Sequence, residues 1–245
     1  MAFSKSTIKK FKEFEKDIET INKYIIEIRD MRVSIVDPRG EKIKQRPIWN
    51  LQSYVQLAIH RVYDLAVEST TAWNNARPVV AFILTRAIYE NTAYMYDLAQ
   101  KLKMYYDQDN YKEIHNVIVN RLVGNRLGTT AREIINVLTA IGTVAKEIPE
   151  FKQYYDFISD FSHPNYSGMY GIYSETDKEN VRFFVSRKYG YTDQIFSFII
   201  TGLATGLGIF INSTNNILNN IDELNDFFYK HQPLVNKGDT KHKAF

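Results

Sequence analysis

The sequence predicts a mainly α-helical bundle with a small β-hairpin insertion near residues 168–189, on three observations. Glycine and proline number only 11 and 6 in 245 residues, so long segments run without a helix breaker. Over most of the chain apolar residues recur three and four apart, the spacing of one helix face. Between Gly168 and Tyr189 the pattern changes to aromatic and β-branched clusters, which favour a pleated backbone.

Taken in order, Ile8, Phe11, Phe14, Ile18, Ile21, Ile25, Ile28 and Met31 mark an N-terminal amphipathic helix over residues 1–31. Such a stripe either docks on the bundle or pairs with another subunit. Residues 32–49 form a linker, with a turn at Asp37-Pro-Arg-Gly and a basic loop at Lys42, Lys44 and Arg46. Residues 50–230 make the bundle, beginning with a helix from Asn50 to Asn75. Pro78 suits the first turn of the next, which continues to about Tyr106. Shorter helices are expected over Asp109–Val123 and Ala131–Glu147, separated by the loop Gly124–Gly128. Another runs over Glu150–Phe161, ending before Pro164 because residues preceding proline avoid helical geometry. Met169–Tyr173 and Val181–Val185 are the expected strands, around a polar turn at Glu175–Asn180. A long helix from Thr192 to Tyr229 follows, and residues 231–245 form a polar, disordered tail.

The chain is long enough for one large core. Its 44% hydrophobic and 24% charged residues describe a globular protein. With no cysteine, disulfide frameworks, thiolate metal sites and a thiol nucleophile are excluded. The five histidines are scattered without ligand spacing, and phosphate-loop or dinucleotide signatures are absent, so no metal or cofactor is expected. A net charge of +3 leaves nucleic-acid contact to local patches, for which Arg121, Arg126 and Arg132, with Lys42, Lys44 and Arg46, are the available cations. The N-terminus enters a charged helix without a secretory apolar stretch, and a cytoplasmic location is expected. Ile195–Ile211 is uncharged over about seventeen residues and carries Gly202 and Gly206. It is short for a span and lacks flanking cations, so it reads as a bundle helix, with no membrane involved.

Two clusters carry possible chemistry. In Arg86-Ala-Ile-Tyr-Glu90, Arg86 and Glu90 lie one turn apart, with Asp97 further along the same face. The surrounding apolar residues suggest that these charges face an interior cleft, where a buried pair contributes little net stability. An ordinary surface ion pair is the alternative. In Ser159-Asp-Phe-Ser-His163-Pro-Asn165 a histidine stands at a helix end beside hydroxyls, a carboxylate and a carboxamide. Imidazole can exchange protons near neutral pH, with Ser159 or Asp160 fixing its tautomer. Alternatively His163 and Asn165 cap the helix and orient the turn.

Arg86-x-x-x-Glu90 in an apolar helix, followed by Tyr155-x-x-x-Ser159-x-x-x-His163-Pro-Asn165, resembles an uncharacterised bacterial branch of the HEPN superfamily, over roughly residues 50–220. The resemblance implies a helical bundle, often a homodimer, whose active members cut RNA without metal in antiviral defence and toxin–antitoxin systems, where an antitoxin is the protein partner. Those nucleases carry an Arg, then four to six residues, then a His, so the Arg would lie at 156, 157 or 158, where Asp156, Phe157 and Ile158 stand here. Arg86 would have to supply the cation from another helix. In that arrangement Arg86, Glu90, Ser159, His163 and Asn165 form the candidate catalytic site. His163 is the acid or base, Arg86 the phosphate stabiliser, Glu90 its orienter, and Asn165 positions substrate or the turn. The competing classes are a non-catalytic helical binding module and a structural dimer joined through Ile8–Met31 or the Gly202 helix.

Overall fold

The computed structural model describes residues 2–37, 45–124 and 136–231. The N-terminal stripe forms α1 (Lys5–Lys10), a 3-10 turn at Lys12–Phe14 and α2 (Glu15–Asp30). The break corrects the single helix expected over 1–31. Ile8, Phe11 and Phe14 are spaced by three, closer to the 3-10 period than to 3.6, and the backbone tightens there. Ser4 caps α1 by accepting from the Thr7 amide at 3.2 Å. The stripe docks within its own chain: Phe3, Phe11, Ile18, Ile21, Ile25 and Ile28 are all buried.

The next helices are α3 (Arg46–Asn74), α4 (Pro78–Asp107) and α5 (Tyr111–Val123). α3 begins four residues before the expected start, because Pro47 is compatible with a first turn and the Gln45 carbonyl accepts from the Ile48 and Trp49 amides. It ends at Ala76, which has φ 53°. There the Arg77 amide donates to Ala72 and the Ala76 amide to Trp73, the paired bonds of a Schellman ending. α6 (Val137–Ala145) is capped by Asn136; the first residues of its expected range lie outside the described ones. α7 (Pro149–Ser162) has proline in its first turn.

The expected first strand needs correction. Tyr166–Tyr170 is a π-helical turn, continued by the short α8 (Gly171–Tyr173). Asn165 accepts from the Gly168 amide through its side chain and from the Met169 amide through its carbonyl. That local bonding outweighs the strand preference of the tyrosines. The hairpin follows as β1 (Ser174–Asp177) and β2 (Arg182–Val185), antiparallel, with Ser174 opposite Val185 and Asp177 opposite Arg182. Its turn lies at Lys178–Val181. A 3-10 turn at Arg187–Gly190 covers α8.

The long C-terminal helix is also interrupted, into α9 (Asp193–Asn219) and α10 (Ile221–His231). Asn220 turns its side chain back onto the Asn216 carbonyl at 2.7 Å, a competitor of the backbone ladder. His231, expected in the tail, closes α10 with Nδ1 2.9 Å from the Phe227 carbonyl; the remainder of the tail lies outside the described residues. By length and composition α9 is the one described helix able to cross a membrane, and half of its apolar window is buried within the chain.

The described residues fall into two compact units, to both of which α3, α4 and α9 contribute. The first takes residues 2–32, 56–97 and 136–214. Here Gly202 of α9 meets Ile158 of α7 and Thr85 of α4, where an added Cβ would stand 2.9 and 3.2 Å from their side chains. Gly206 lies against the Tyr89 ring. Small residues thus bring α9 close to α4 and α7 within one chain, and Thr92 Oγ1 donates to the Gly206 carbonyl at 3.0 Å. Burial pushes the Tyr89 phenol upward, slightly opposed by the Thr205 hydroxyl. The second unit takes the described parts of 33–55, 98–134 and 215–245. In it Tyr106 donates to Glu223 at 2.6 Å and His231 stacks on Tyr111.

Candidate functional site

The site is built on α4, α7 and the turn after α7. α4 presents Arg86 and Glu90 one turn apart, and Arg86 Nε donates to Glu90 Oε1 at 3.2 Å. Their side chains are 29% and 32% exposed, so the pair is half-buried, between the interior cleft and the surface ion pair that the sequence left open. At that exposure the pair contributes little to stability. Asp97, expected on the same face, is buried and accepts from Thr143 Oγ1 at 3.2 Å; it takes no part in the site.

α7 contributes Tyr155, which sequence reasoning gave no role. Its ring is buried, its hydroxyl donates to Glu90 Oε1 at 3.3 Å, and the Arg86 guanidinium lies 5.7 Å from its centroid. Glu90 therefore holds Arg86 from one side and is itself held by Tyr155. The spacing of four between Tyr155, Ser159 and His163 was the available signal, since such residues share a helix face.

His163 caps the C-terminus of α7 in an extended conformation and is exposed. Its Nε2 lies 3.2 Å from Arg86 Nη1. A guanidinium has donors and no acceptor, so a hydrogen bond across this contact requires Nε2 to be the acceptor, the tautomer with the ring proton on Nδ1. Two residues 77 apart in sequence meet in this bond.

The turn is shaped by Asn165 and Gly168. Asn165 Nδ2 donates to Asp160 Oδ1, and Asn165 Oδ1 accepts from the Gly168 amide at 2.9 Å. A Cβ at Gly168 would lie 2.1 Å from the His163 carbonyl oxygen and 2.8 Å from that of Phe161, so only glycine fits beneath the histidine. Asp160 is thus committed to Asn165. Ser159 Oγ is buried without a hydrogen-bond partner. Neither fixes the imidazole as the sequence suggested: among the described residues the ring accepts or donates no bond to either side chain, and Asp160 meets His163 only through its carbonyl, which accepts from the His163 amide at 3.3 Å.

The site belongs to the first unit. Of the candidate RNA cations, Arg121 lies on α5 and Arg46 at the start of α3, both in the second unit, while Arg126, Arg132, Lys42 and Lys44 lie outside the described residues. Among the described residues no three His, Asp or Glu side chains converge as metal ligands. The arrangement offers a guanidinium to bind an anion and, beside it, an imidazole nitrogen with a free lone pair once that anion is bound. Comparison of the chain with protein-family models, curated proteins and solved structures finds no match.

Proposed function

We propose that this chain is an HEPN-like protein that acts on RNA as a metal-independent endoribonuclease, of the kind found in bacterial defence or toxin-type systems. The observation that carries the reading is the 3.2 Å contact between Arg86 Nη1 and His163 Nε2. It joins the cation and the imidazole that active relatives in the resembled family carry on one short segment.

The chemistry follows from the donors. A backbone phosphate takes the Arg86 Nη1 donor, a charge-assisted bond stronger than the one to neutral imidazole. That exchange frees the Nε2 lone pair to remove the proton of the ribose 2′-hydroxyl. The 2′-oxygen forms a bond to phosphorus, giving a 2′,3′-cyclic phosphate, and the bond from phosphorus to the 5′-oxygen breaks; water protonates that oxygen as it leaves, and the His163 imidazolium returns its proton to the hydroxide formed. Arg86, fixed by Glu90 and Tyr155, meets the negative charge that develops on the phosphoryl oxygens without having to reorganise.

Purified protein incubated with total RNA in EDTA and read on a gel tests this. Wild type is expected to cleave, with His163→Ala lowering the rate about 10²–10⁴-fold and Arg86→Ala about 10²–10³-fold. Intact RNA with wild type overturns the reading. One observation favours a second reading, a non-catalytic binding module: no carboxylate bonds His163 among the described residues, so the tautomer is held from the Arg86 side alone. That module retains nucleic acid in a salt-dependent way without cutting it.

A further inference from the structure

The segment following His163 exposes rings that a folded chain ordinarily buries. Tyr166 is 72% exposed, and its ring stacks on Tyr170 at 4.8 Å with only 15° between the planes. Tyr170 meets Phe183 of β2 at 5.7 Å and bonds Thr176 through its hydroxyl at 2.6 Å. The three rings form a ladder whose outermost member offers a flat face to solvent. Its base is fixed: Ile172 is fully buried, and Gly190 packs against it. Arg187 and Lys188 are exposed on the turn that follows β2, while Arg182, next to Phe183 in the strand, alternates to the other face.

We infer that this ladder stacks the unpaired bases of single-stranded RNA and leads the strand to Arg86 and His163. The inference rests on the RNA-directed reading for the identity of the sugar. A base needs an open aromatic face and phosphates need nearby cations; both are present here. Duplex bases are already stacked on their neighbours and cannot use the ladder. Tyr166 is three residues from His163, so their Cα atoms lie at most about 11 Å apart. The loop between them also folds back, with the Asn165 amide donating to the His163 carbonyl at 2.9 Å.

The test is fluorescence anisotropy with a labelled 2′-O-methyl oligoadenylate, which lacks the 2′-hydroxyl needed for cleavage, and a duplex of equal length. Wild type is expected to prefer the single strand. Tyr166→Ala is expected to weaken its binding about 5- to 150-fold, the range for one lost base stack, while Tyr166→Phe, which keeps the ring, binds like wild type. Equal affinity of wild type and Tyr166→Ala, or no preference for the single strand, overturns the inference. So does a fall in solution mass for Tyr166→Ala without a change in oligonucleotide affinity, since that would assign the ladder to a protein interface. Unmodified RNA separates the two claims. Ring-dependent binding without cleavage keeps the ladder and removes the nuclease, whereas cleavage with KM unchanged in Tyr166→Ala does the reverse.

Discussion

Two aromatic regions of the first unit use the same residue types to opposite ends. Around the N-terminal segment, Phe3, Phe11, Trp73 and Phe196 are all buried, with Trp73 and Phe196 stacked at 4.7 Å and Tyr191 edge-on to Phe11. At the π-helical turn and the hairpin, Tyr170 contacts both Tyr166 and Phe183, and all three rings stay exposed. The difference is how many separate chain segments converge. The dock draws on the N-terminus, the end of α3, the turn before α9 and α9 itself, so every ring is covered from several sides. Asn74 fastens it, accepting from the Ser4 amide and Thr7 hydroxyl and donating to the Ala2 carbonyl. The hairpin rings come from positions 166–183 alone, and nothing from elsewhere in the described chain closes over Tyr166. Aromatic content therefore identifies neither a core nor a binding surface until convergence is known.

The largest expected effect breaks the buried member. Trp73→Ala removes a ring packed on three others and should cost about 3–5 kcal/mol, read as a lower urea midpoint, while leaving single-strand binding by the remaining folded protein unchanged. A loss below about 1 kcal/mol would mean that the dock is no better packed than the hairpin.

Next is Gly168→Ala, at the foot of the exposed member. The added carbon would stand 2.1 Å from the His163 carbonyl oxygen, so the loop must move. Overpacking of this kind costs about 1–3 kcal/mol. The displaced His163 should also lose Arg86, so RNA cleavage falls more than stability does. Unchanged cleavage together with unchanged stability would show that the close approach is dispensable.

These contrasts also explain what the sequence could disclose. Helices were legible because a buried face imposes its period on the residues that line it, as Ile18, Ile21, Ile25 and Ile28 do. The interruptions at Phe11 and Asn220 were less so, since each depends on a local competitor rather than on the period. The hairpin was visible in its second half, where Arg182–Val185 is a strand. Its first half was misplaced because Asn165 and Gly168 wind Met169–Tyr173 into helical turns. At the site, Arg86 with Glu90 and Asn165 at the turn were readable from spacing and residue type. The meeting of Arg86 and His163 was suggested only by a family resemblance, because no local rule links residues 77 apart. Tyr155 was hidden by its ring, which reads as core and is core, while its hydroxyl serves Glu90.

The smallest effect concerns how the two regions respond to acid. Asp177 holds the hairpin turn: its Oδ1 accepts from the Glu179 and Asn180 amides at 3.1 and 3.2 Å, and its Oδ2 from Asn180 Nδ2 at 2.8 Å. The Asn180 side chain, followed by the Asn180 amide, draws the Asp177 carboxyl below its ordinary 3.8. A carboxyl lowered in the folded state stabilises above its unfolded value of about 3.9, and that contribution fades as pH falls through the folded value. The dock is fastened by the Asn74 carboxamide, which does not titrate. NMR titration should therefore place the Asp177 midpoint below 3.8, and Asn180→Ala should move it upward. Below that midpoint the Glu179 and Asn180 amides should lose exchange protection while the Phe11 and Trp73 amides keep theirs. Simultaneous loss in both regions would mean that hairpin and dock open as one cooperative element, and the contrast between an anchored core and a locally held platform would fail.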